Sequence, residues 1–279
     1  MNVFIAGAGT MGAGIAQVFV TGGWNVTLYD INAAFVEKGM AAIDRALTRQ
    51  CEKGAIKPEK RDAAMAAVKG TTDLKDAADC ALAIEAVTER VDVKISLFSS
   101  LNDICLPETV FATNTSSLSI TEIASGSGRA DRVVGMHFFN PAPVMKLVEV
   151  IRGAQTSDET MAFVHGTAAA VGKEPIAVNE APGFVVNRLL IPMLNEAVQV
   201  LAEGIASAED IDKAMKLGAG HPMGPLALAD MIGNDVNLAI MEQLYEETGD
   251  PKYRPHPQLK KMVRAGHLGR KTKKGFFEY

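Results

Sequence analysis

His137 and Glu149 close the two ends of the segment His137-Phe138-Phe139-Asn140-Pro141-Ala142-Pro143-Val144-Met145-Lys146-Leu147-Val148-Glu149, and together they have the chemistry of a proton relay. Glu149 lies in Leu147-Val148-Glu149-Val150-Ile151, which is otherwise apolar on both faces when read as a strand, and period-two alternation puts it on the face of Leu147 and Ile151. A carboxylate buried there without a partner costs several kcal/mol, so it must be paired or shift its pKa. An imidazole from a neighbouring strand is the obvious partner. A histidine held by a buried carboxylate has its tautomer fixed and its cation stabilised, as a general acid/base requires. Alone, His137 reads as a structural histidine and Glu149 as an edge-strand surface residue; the combination points to proton transfer.

Two further polar groups sit where substrate atoms could reach them. Asn114-Thr115-Ser116-Ser117 follows the apolar run Val110 to Thr113, and such a cluster at a strand end serves either as a turn or as a binding element. Asn187 lies in Pro182-Gly183-Phe184-Val185-Val186-Asn187-Arg188, on the first turns of an expected helix. Facing a cleft it would orient a substrate oxygen; facing solvent it would do nothing.

The chain opens with an apolar strand that runs into Gly7-Ala8-Gly9-Thr10-Met11-Gly12 and then a helix. In that context Gly-x-Gly-x-x-Gly is a dinucleotide signal. Gly7 allows the tight turn, Gly9 lets the backbone approach a pyrophosphate, and Gly12 lets helix and strand come close, with the helix N-terminus attracting phosphate charge at Thr10 and Met11. Asp30 ends the second strand about 20 residues later, where the fingerprint expects a carboxylate on the adenosine ribose. It could instead cap the next helix, but Asn32 serves equally well for that. A carboxylate there would repel a 2'-phosphate, so NAD is favoured over NADP, with a flavin as the next alternative.

These residues need a scaffold that brings strand ends together. From Met1 to about Ala181, short β-branched runs alternate with helical stretches, the pattern of a parallel sheet with crossover helices. Strands are expected near Val3 to Ala6, Val26 to Tyr29, Leu82 to Glu85, Val110 to Thr113, Val133 to Met136 and Leu147 to Ile151. After Pro182 the pattern is helical: about Phe184 to Glu203, then a helix capped by Ser207 with Asp210 three residues on, then one after Gly224-Pro225, with a break at Gly249-Asp250-Pro251. The expected architecture is therefore α/β: a doubly wound Rossmann-type sheet over residues 1–182, followed by a smaller all-α domain over 183–279.

Composition excludes several classes. With 279 residues, 48% apolar, 22% charged and a net charge of -5, the chain buries a core without disulfides or a structural metal. Cys51, Cys80 and Cys105 form no Cys-x-x-Cys or Cys/His cluster, so no zinc site is expected and a reducing, cytoplasmic setting is. The N-terminus carries no basic segment that would mark a targeting peptide. Phe184 to Ala202 contains Asn187, Arg188, Asn195 and Glu196, too polar for a membrane span. An acidic chain without a Lys/Arg block is not expected to bind nucleic acid.

Taken together, the glycine loop, Asn114-Thr115-Ser116-Ser117-Leu118-Ser119-Ile120, the His137 to Glu149 segment, Ala181 to Arg188 and Lys213-Ala214-Met215-Lys216-Leu217-Gly218 resemble the 3-hydroxyacyl-CoA dehydrogenase family over essentially the whole chain, in particular its short bacterial 3-hydroxybutyryl-CoA members. The resemblance implies reversible hydride transfer between C3 of a 3-hydroxyacyl-CoA and NAD, with acetoacetyl-CoA and 3-hydroxybutyryl-CoA as the substrate pair. It implies His137 as catalytic base, Glu149 as its carboxylate, and Ser116 and Asn187 as hydrogen-bonding groups around the 3-oxygen. Glu89, Lys94, Asn114, Asn140 and Lys271 match positions of cofactor contacts; Lys94 and Asn114 also match substrate contacts, and Lys53 and Lys57 are candidates for the CoA phosphates. Glu89 and Lys94 also read as the solvated start of a helix. A homodimer built on the second domain is implied as well. Two other readings stay open: a dehydrogenase of the 3-hydroxyisobutyrate or 6-phosphogluconate type, whose catalytic Lys is replaced here by Asn187-Arg188, and a non-catalytic nucleotide sensor.

Overall fold

Asn2-Val3-Phe4-Ile5-Ala6 is apolar on both faces because it becomes an interior strand of a sheet covered on both sides. In the computed structural model, which describes residues 1–279, it is β1 of an eight-stranded sheet ordered β3-β2-β1-β4-β5-β6-β7-β8. The other strands are β2 (Asn25–Tyr29), β3 (Val68–Thr71), β4 (Leu82–Glu85), β5 (Val110–Thr113), β6 (Val133–Phe138), β7 (Leu147–Arg152) and β8 (Glu174–Asn179). This sheet and its helices α1 (Thr10–Thr21), α2 (Ala33–Glu52), α3 (Pro58–Ala66), α4 (Val91–Asn102), α5 (Ile120–Ser125) and α6 (Asp158–Ala170) make one compact unit, Met1–Ala181.

The strand order reverses beside β1, the arrangement of a doubly wound sheet with crossover helices on both faces. Alternation divides each strand between them. Val3 and Ile5 join the cluster containing Ile15, Phe19, Ile43 and Leu47 of α1 and α2, whereas Phe98 of α4 stacks on Phe111 of β5 at 5.0 Å between ring centroids. The parallel strands β1, β4, β5 and β6 all end on the same edge, so the chain segments that follow them meet there.

Three expectations are corrected. The sheet is not parallel throughout: β7 runs antiparallel to β6, because the chain between Phe138 and Leu147 is too short for a crossover, which takes about a dozen residues or more. Two edge strands were not expected. Val68-Lys69-Gly70-Thr71 in β3 has too little apolar content to read as a strand, and β8 is largely exposed with Pro175 inside it, which only an edge tolerates. The first helix of the second unit starts later than Phe184, since Gly183 (φ 72°) and Phe184 (φ 50°) are left-handed and cannot lie in an α-helix.

The second unit, Pro182–Tyr279, is helical: α7 (Val186–Ala202), α8 (Ala208–Gly218), α9 (Pro225–Ile232), α10 (Asn234–Thr248) and α11 (Pro257–Arg264). Ser207 caps α8, its Oγ accepting from the Asp210 N–H at 3.2 Å and donating to the Asp210 carboxylate at 3.0 Å. Asp212, buried in α8, accepts from the Leu226 and Ala227 N–H groups at 2.8 and 2.9 Å and so caps α9 from another helix. Glycine is required opposite, because a Cβ on Gly224 would fall 2.1 Å from the Asp212 carboxyl carbon. Asp230, buried in α9, accepts from Asn234 Nδ2, the Phe276 and Phe277 N–H groups and the Tyr279 hydroxyl, tying down the C-terminal segment. No helix of the chain is long and apolar enough to cross a membrane.

Asp212→Ala leaves two N–H groups at the start of a buried helix without their acceptor. It should cost about 2 kcal/mol, read as a lower urea midpoint for the second unit; an unchanged midpoint would show that the cap contributes nothing.

Candidate active site

The glycine loop leaves β1 and turns into α1. Gly7 has φ 104°, its N–H donates to the Tyr29 carbonyl at 2.8 Å, and a Cβ on it would stand 2.5 Å from the Ala86 carbonyl oxygen just beyond β4. Gly12 is equally constrained, since its Cβ would fall 1.7 Å from the Gly7 oxygen. Gly9 differs. A Cβ there meets nothing within 4 Å, and Gly9 is the N-cap of α1 with no side chain capping the helix. Open space over a glycine at an uncapped helix N-terminus suits a pyrophosphate, whose charge the first-turn N–H groups of Thr10, Met11 and Gly12 can meet. Asp30 does not cap α2; Asn32 does, accepting from the Ala34 N–H at 2.9 Å. Instead Asp30 Oδ2 accepts from the Ala8 N–H at 2.9 Å, which ties the end of β2 to the glycine loop. The chain thus fits a dinucleotide by its own geometry.

His137 and Glu149 are directly opposite in the antiparallel register of β6 and β7, and His137 Nδ1 lies 2.8 Å from Glu149 Oε2. Both side chains are buried, Glu149 entirely. A carboxylate acceptor at that distance suits a ring protonated at Nδ1, the tautomer a histidine paired with a carboxylate takes. The His137 ring packs against Phe139 at 4.5 Å between centroids. The connection that follows crosses a cis Asn140–Pro141 bond and is held by Lys173, whose buried ammonium donates to the Ala142 and Met145 carbonyls at 2.6 and 2.8 Å. Burial lowers the Lys173 pKa.

Ser116 belongs to a second network. Glu89 Oε1 accepts from Thr115 Oγ1 at 2.6 Å, from the Ser116 N–H at 2.9 Å, and from the Ser116 and Ser117 hydroxyls at 3.3 Å each. Glu89 Oε2 lies 3.2 Å from Lys94 Nζ. Lys94 is 1% exposed, so it is not on the solvated face of α4; its ammonium also contacts Glu85 Oε1 at 2.6 Å. Glu85, fully buried at the end of β4, accepts in addition from the Val87 N–H and from Thr113 Oγ1, each at 2.7 Å. Burial pushes the Glu85 carboxyl above its ordinary value despite Lys94. Burial acts the same way on Glu89, but there the Lys94 charge and the hydrogen bonds from Thr115 and Ser116 outweigh it and hold the carboxyl low.

Among the other residues singled out in the sequence, Asn114 accepts from the Phe138 N–H at 2.9 Å, fastening the end of β5 to the end of β6. Asn140 is exposed at the cis bond, and Lys53 and Lys57 are exposed beside α2 and α3. In the second unit, Asn187 is the second residue of α7, and Lys271 donates to Asp235 at 2.6 Å. Glu85 escaped the sequence reading, although its signal was the one that exposed Glu149: a carboxylate inside an apolar strand.

Comparison with known proteins matches both units to one family. The family model described as 3-hydroxyacyl-CoA dehydrogenase, NAD binding domain, matches residues 2–181, and that of the C-terminal domain matches residues 183–279. The chain is 52% identical over 279 residues to the 3-hydroxybutyryl-CoA dehydrogenase of Clostridioides difficile, covering 100% of this chain and 99% of that one. It is 41% identical over 285 residues to the human mitochondrial hydroxyacyl-coenzyme A dehydrogenase, covering 100% of this chain and 91% of the relative. The crystal structure of the (S)-3-hydroxybutyryl-CoA dehydrogenase PaaH1 from Ralstonia eutropha superposes with a TM-score of 0.97 at 51% identity, covering 100% and 98% of the two chains. With both units matched end to end and the glycine loop built to take a dinucleotide, the chain belongs to the 3-hydroxyacyl-CoA dehydrogenase family.

Proposed function

We propose that this chain is an NAD-dependent 3-hydroxybutyryl-CoA dehydrogenase in which His137 and Glu149 move the proton. The observation that carries the proposal is the buried 2.8 Å contact between His137 Nδ1 and Glu149, set by strand register on the sheet edge that also bears the glycine loop. NAD bound along Gly7 to Gly12 and Asp30 supplies the hydride acceptor, and NADH the donor. In oxidation, His137 Nε2 takes the 3-hydroxyl proton as hydride leaves C3, and the Glu149 carboxylate stabilises the imidazolium. In reduction, the cationic His137 returns the proton to the 3-oxygen. Ser116 hydrogen-bonds to that oxygen and fixes which carbon faces the nicotinamide. Asn114, Asn140 and Glu89 contribute to the cofactor site, and Lys53 and Lys57 meet the CoA phosphates. The second unit carries a homodimer interface, supported by the exposure of Leu189, Leu217 and Val236 on its helices; light scattering should give the mass of two chains.

The wild-type protein should oxidise NADH in the presence of acetoacetyl-CoA, and at least about tenfold more slowly with NADPH, since Asp30 disfavours a 2'-phosphate. His137→Gln should lower kcat roughly 100- to 10,000-fold with NADH binding intact; an unimpaired variant would sink the assignment of the base.

Gly9→Val puts side-chain atoms into the space a pyrophosphate would fill, at a position where a Cβ meets nothing within 4 Å. Its melting temperature should match the wild type while NADH binds at least about tenfold more weakly, a loss of about 1.4 kcal/mol. Unchanged NADH affinity would remove the loop from the cofactor site.

A further inference from the structure

The segment that carries Ser116 leaves β5 after Thr113 and enters α5 at Ile120, and its far end is gripped from across the sheet. The grip comes from Glu180, the residue after β8 and 61 positions on from Ser119. Its Oε1 accepts from the Ser119 hydroxyl at 2.7 Å and from the Thr121 N–H at 3.1 Å, and its Oε2 accepts from the Thr121 hydroxyl. The Glu180 N–H donates to the Arg152 carbonyl at 3.0 Å, so its backbone is fixed to the end of β7. Resting on the dehydrogenase reading above, we propose that Glu180 is a positioning residue: through Ser119 and Thr121 it sets the exit of the turn that presents the Ser116 hydroxyl.

A carboxylate is what these groups require. Two hydroxyls and a backbone N–H converge on Glu180 as donors, and an ionised carboxylate offers acceptors alone. The N–H belongs to the first turn of α5, where negative charge also meets the positive end of the helix. With six residues, α5 is far below the roughly 12 at which a helix begins to hold itself, so its place is set by what it is tied to. Ser119 is its N-cap, accepting from the Glu122 N–H at 3.1 Å while donating to Glu180. The Thr121 hydroxyl also accepts from the Ala154 N–H at 2.8 Å, which brings the chain after β7, the end of β8 and the start of α5 to one point. Between that point and Ser116 there is little slack. Thr115 Oγ1 accepts from the Ser117 and Leu118 N–H groups at 3.4 and 3.0 Å, closing a tight turn around Ser116, and Ile120 behind it is fully buried. A shift of Ser119 is therefore passed back to Ser116. A cap from a neighbouring residue would stabilise α5 wherever it stood, whereas a carboxylate fixed three strands away from β5 decides where it stands.

Glu180→Ala should lower kcat for acetoacetyl-CoA reduction about 10- to 100-fold, the cost of misplacing a substrate-orienting group. The NADH dissociation constant should be unchanged. In a Ser116→Ala background the same substitution should cost less than about twofold, because the group it positions is already gone. Glu180→Gln should stay within about threefold of the wild type, since the amide keeps one acceptor oxygen and the Thr121 hydroxyl can turn to accept from its nitrogen. Should Glu180→Ala fail to fold, Thr121→Val removes one hydroxyl from the carboxylate at nearly constant shape, and its kcat is compared in the same two backgrounds. Equal losses in both backgrounds would overturn the proposal, and so would an unchanged kcat, a weakened NADH affinity, or a Glu180→Gln variant as impaired as the alanine. If the wild type does not turn over acetoacetyl-CoA, the dehydrogenase reading falls, and a crystal structure of Glu180→Ala still decides the positioning. A displaced 116–119 segment supports it; an unmoved one rejects it.

Discussion

A carboxylate taken out of water must find compensation, and in this chain four of them, Glu85, Glu149, Asp212 and Asp230, are buried. Each becomes the point where distant parts of the sequence are tied together. Asp212 and Asp230 are satisfied by backbone N–H groups and hold a helix start and the C-terminal segment. Glu149 takes an imidazole and Glu85 an ammonium, both inside the sheet. The difference lies in the partner. An N–H group only fixes geometry, whereas a histidine can also carry a proton.

The sheet order turns these local solutions into one site. Because β1, β4, β5 and β6 run parallel, the glycine loop, Glu85, the Asn114–Ser117 cluster and His137 all emerge at one edge. Asn114 bonds the end of β5 to β6, Asp30 bonds the end of β2 to the glycine loop, and Glu85 bonds β4 to β5 through Thr113. The edge is thereby a continuous polar rim on an apolar slab, its groups fastened to one another across neighbouring strand ends. Antiparallel β7 is the exception that places Glu149: only a tight return from β6 sets a residue of the next strand directly across from His137.

Much of this was legible in the residues. The first two strands, β4 and β5, the glycine loop, the capped start of α8 and the helical second unit announce themselves through apolar runs and their punctuation, which are local properties. The edge strands β3 and β8 were not legible, since a partly exposed strand needs no apolar face and Pro175 speaks against one. The true start of α7 depends on left-handed backbone at Gly183 and Phe184, and for phenylalanine no sequence rule announces that conformation.

For the site, the sequence alone determined which chemistries were available: a dinucleotide loop, a carboxylate with nowhere to go in an apolar strand, and a histidine to meet it. Those follow from residue type and period, because burying charge and turning tightly on glycine impose requirements wherever they occur. Only the tertiary structure decided who meets whom. It gave Asp30 to Ala8 and not to a helix cap, set Lys94 in the core between Glu85 and Glu89 and not on a solvated helix face, and joined Ser116 to Glu89 by hydrogen bonds. Such pairings depend on strand order and register, which arise from closing the whole sheet at once and have no signature in any short stretch of chain.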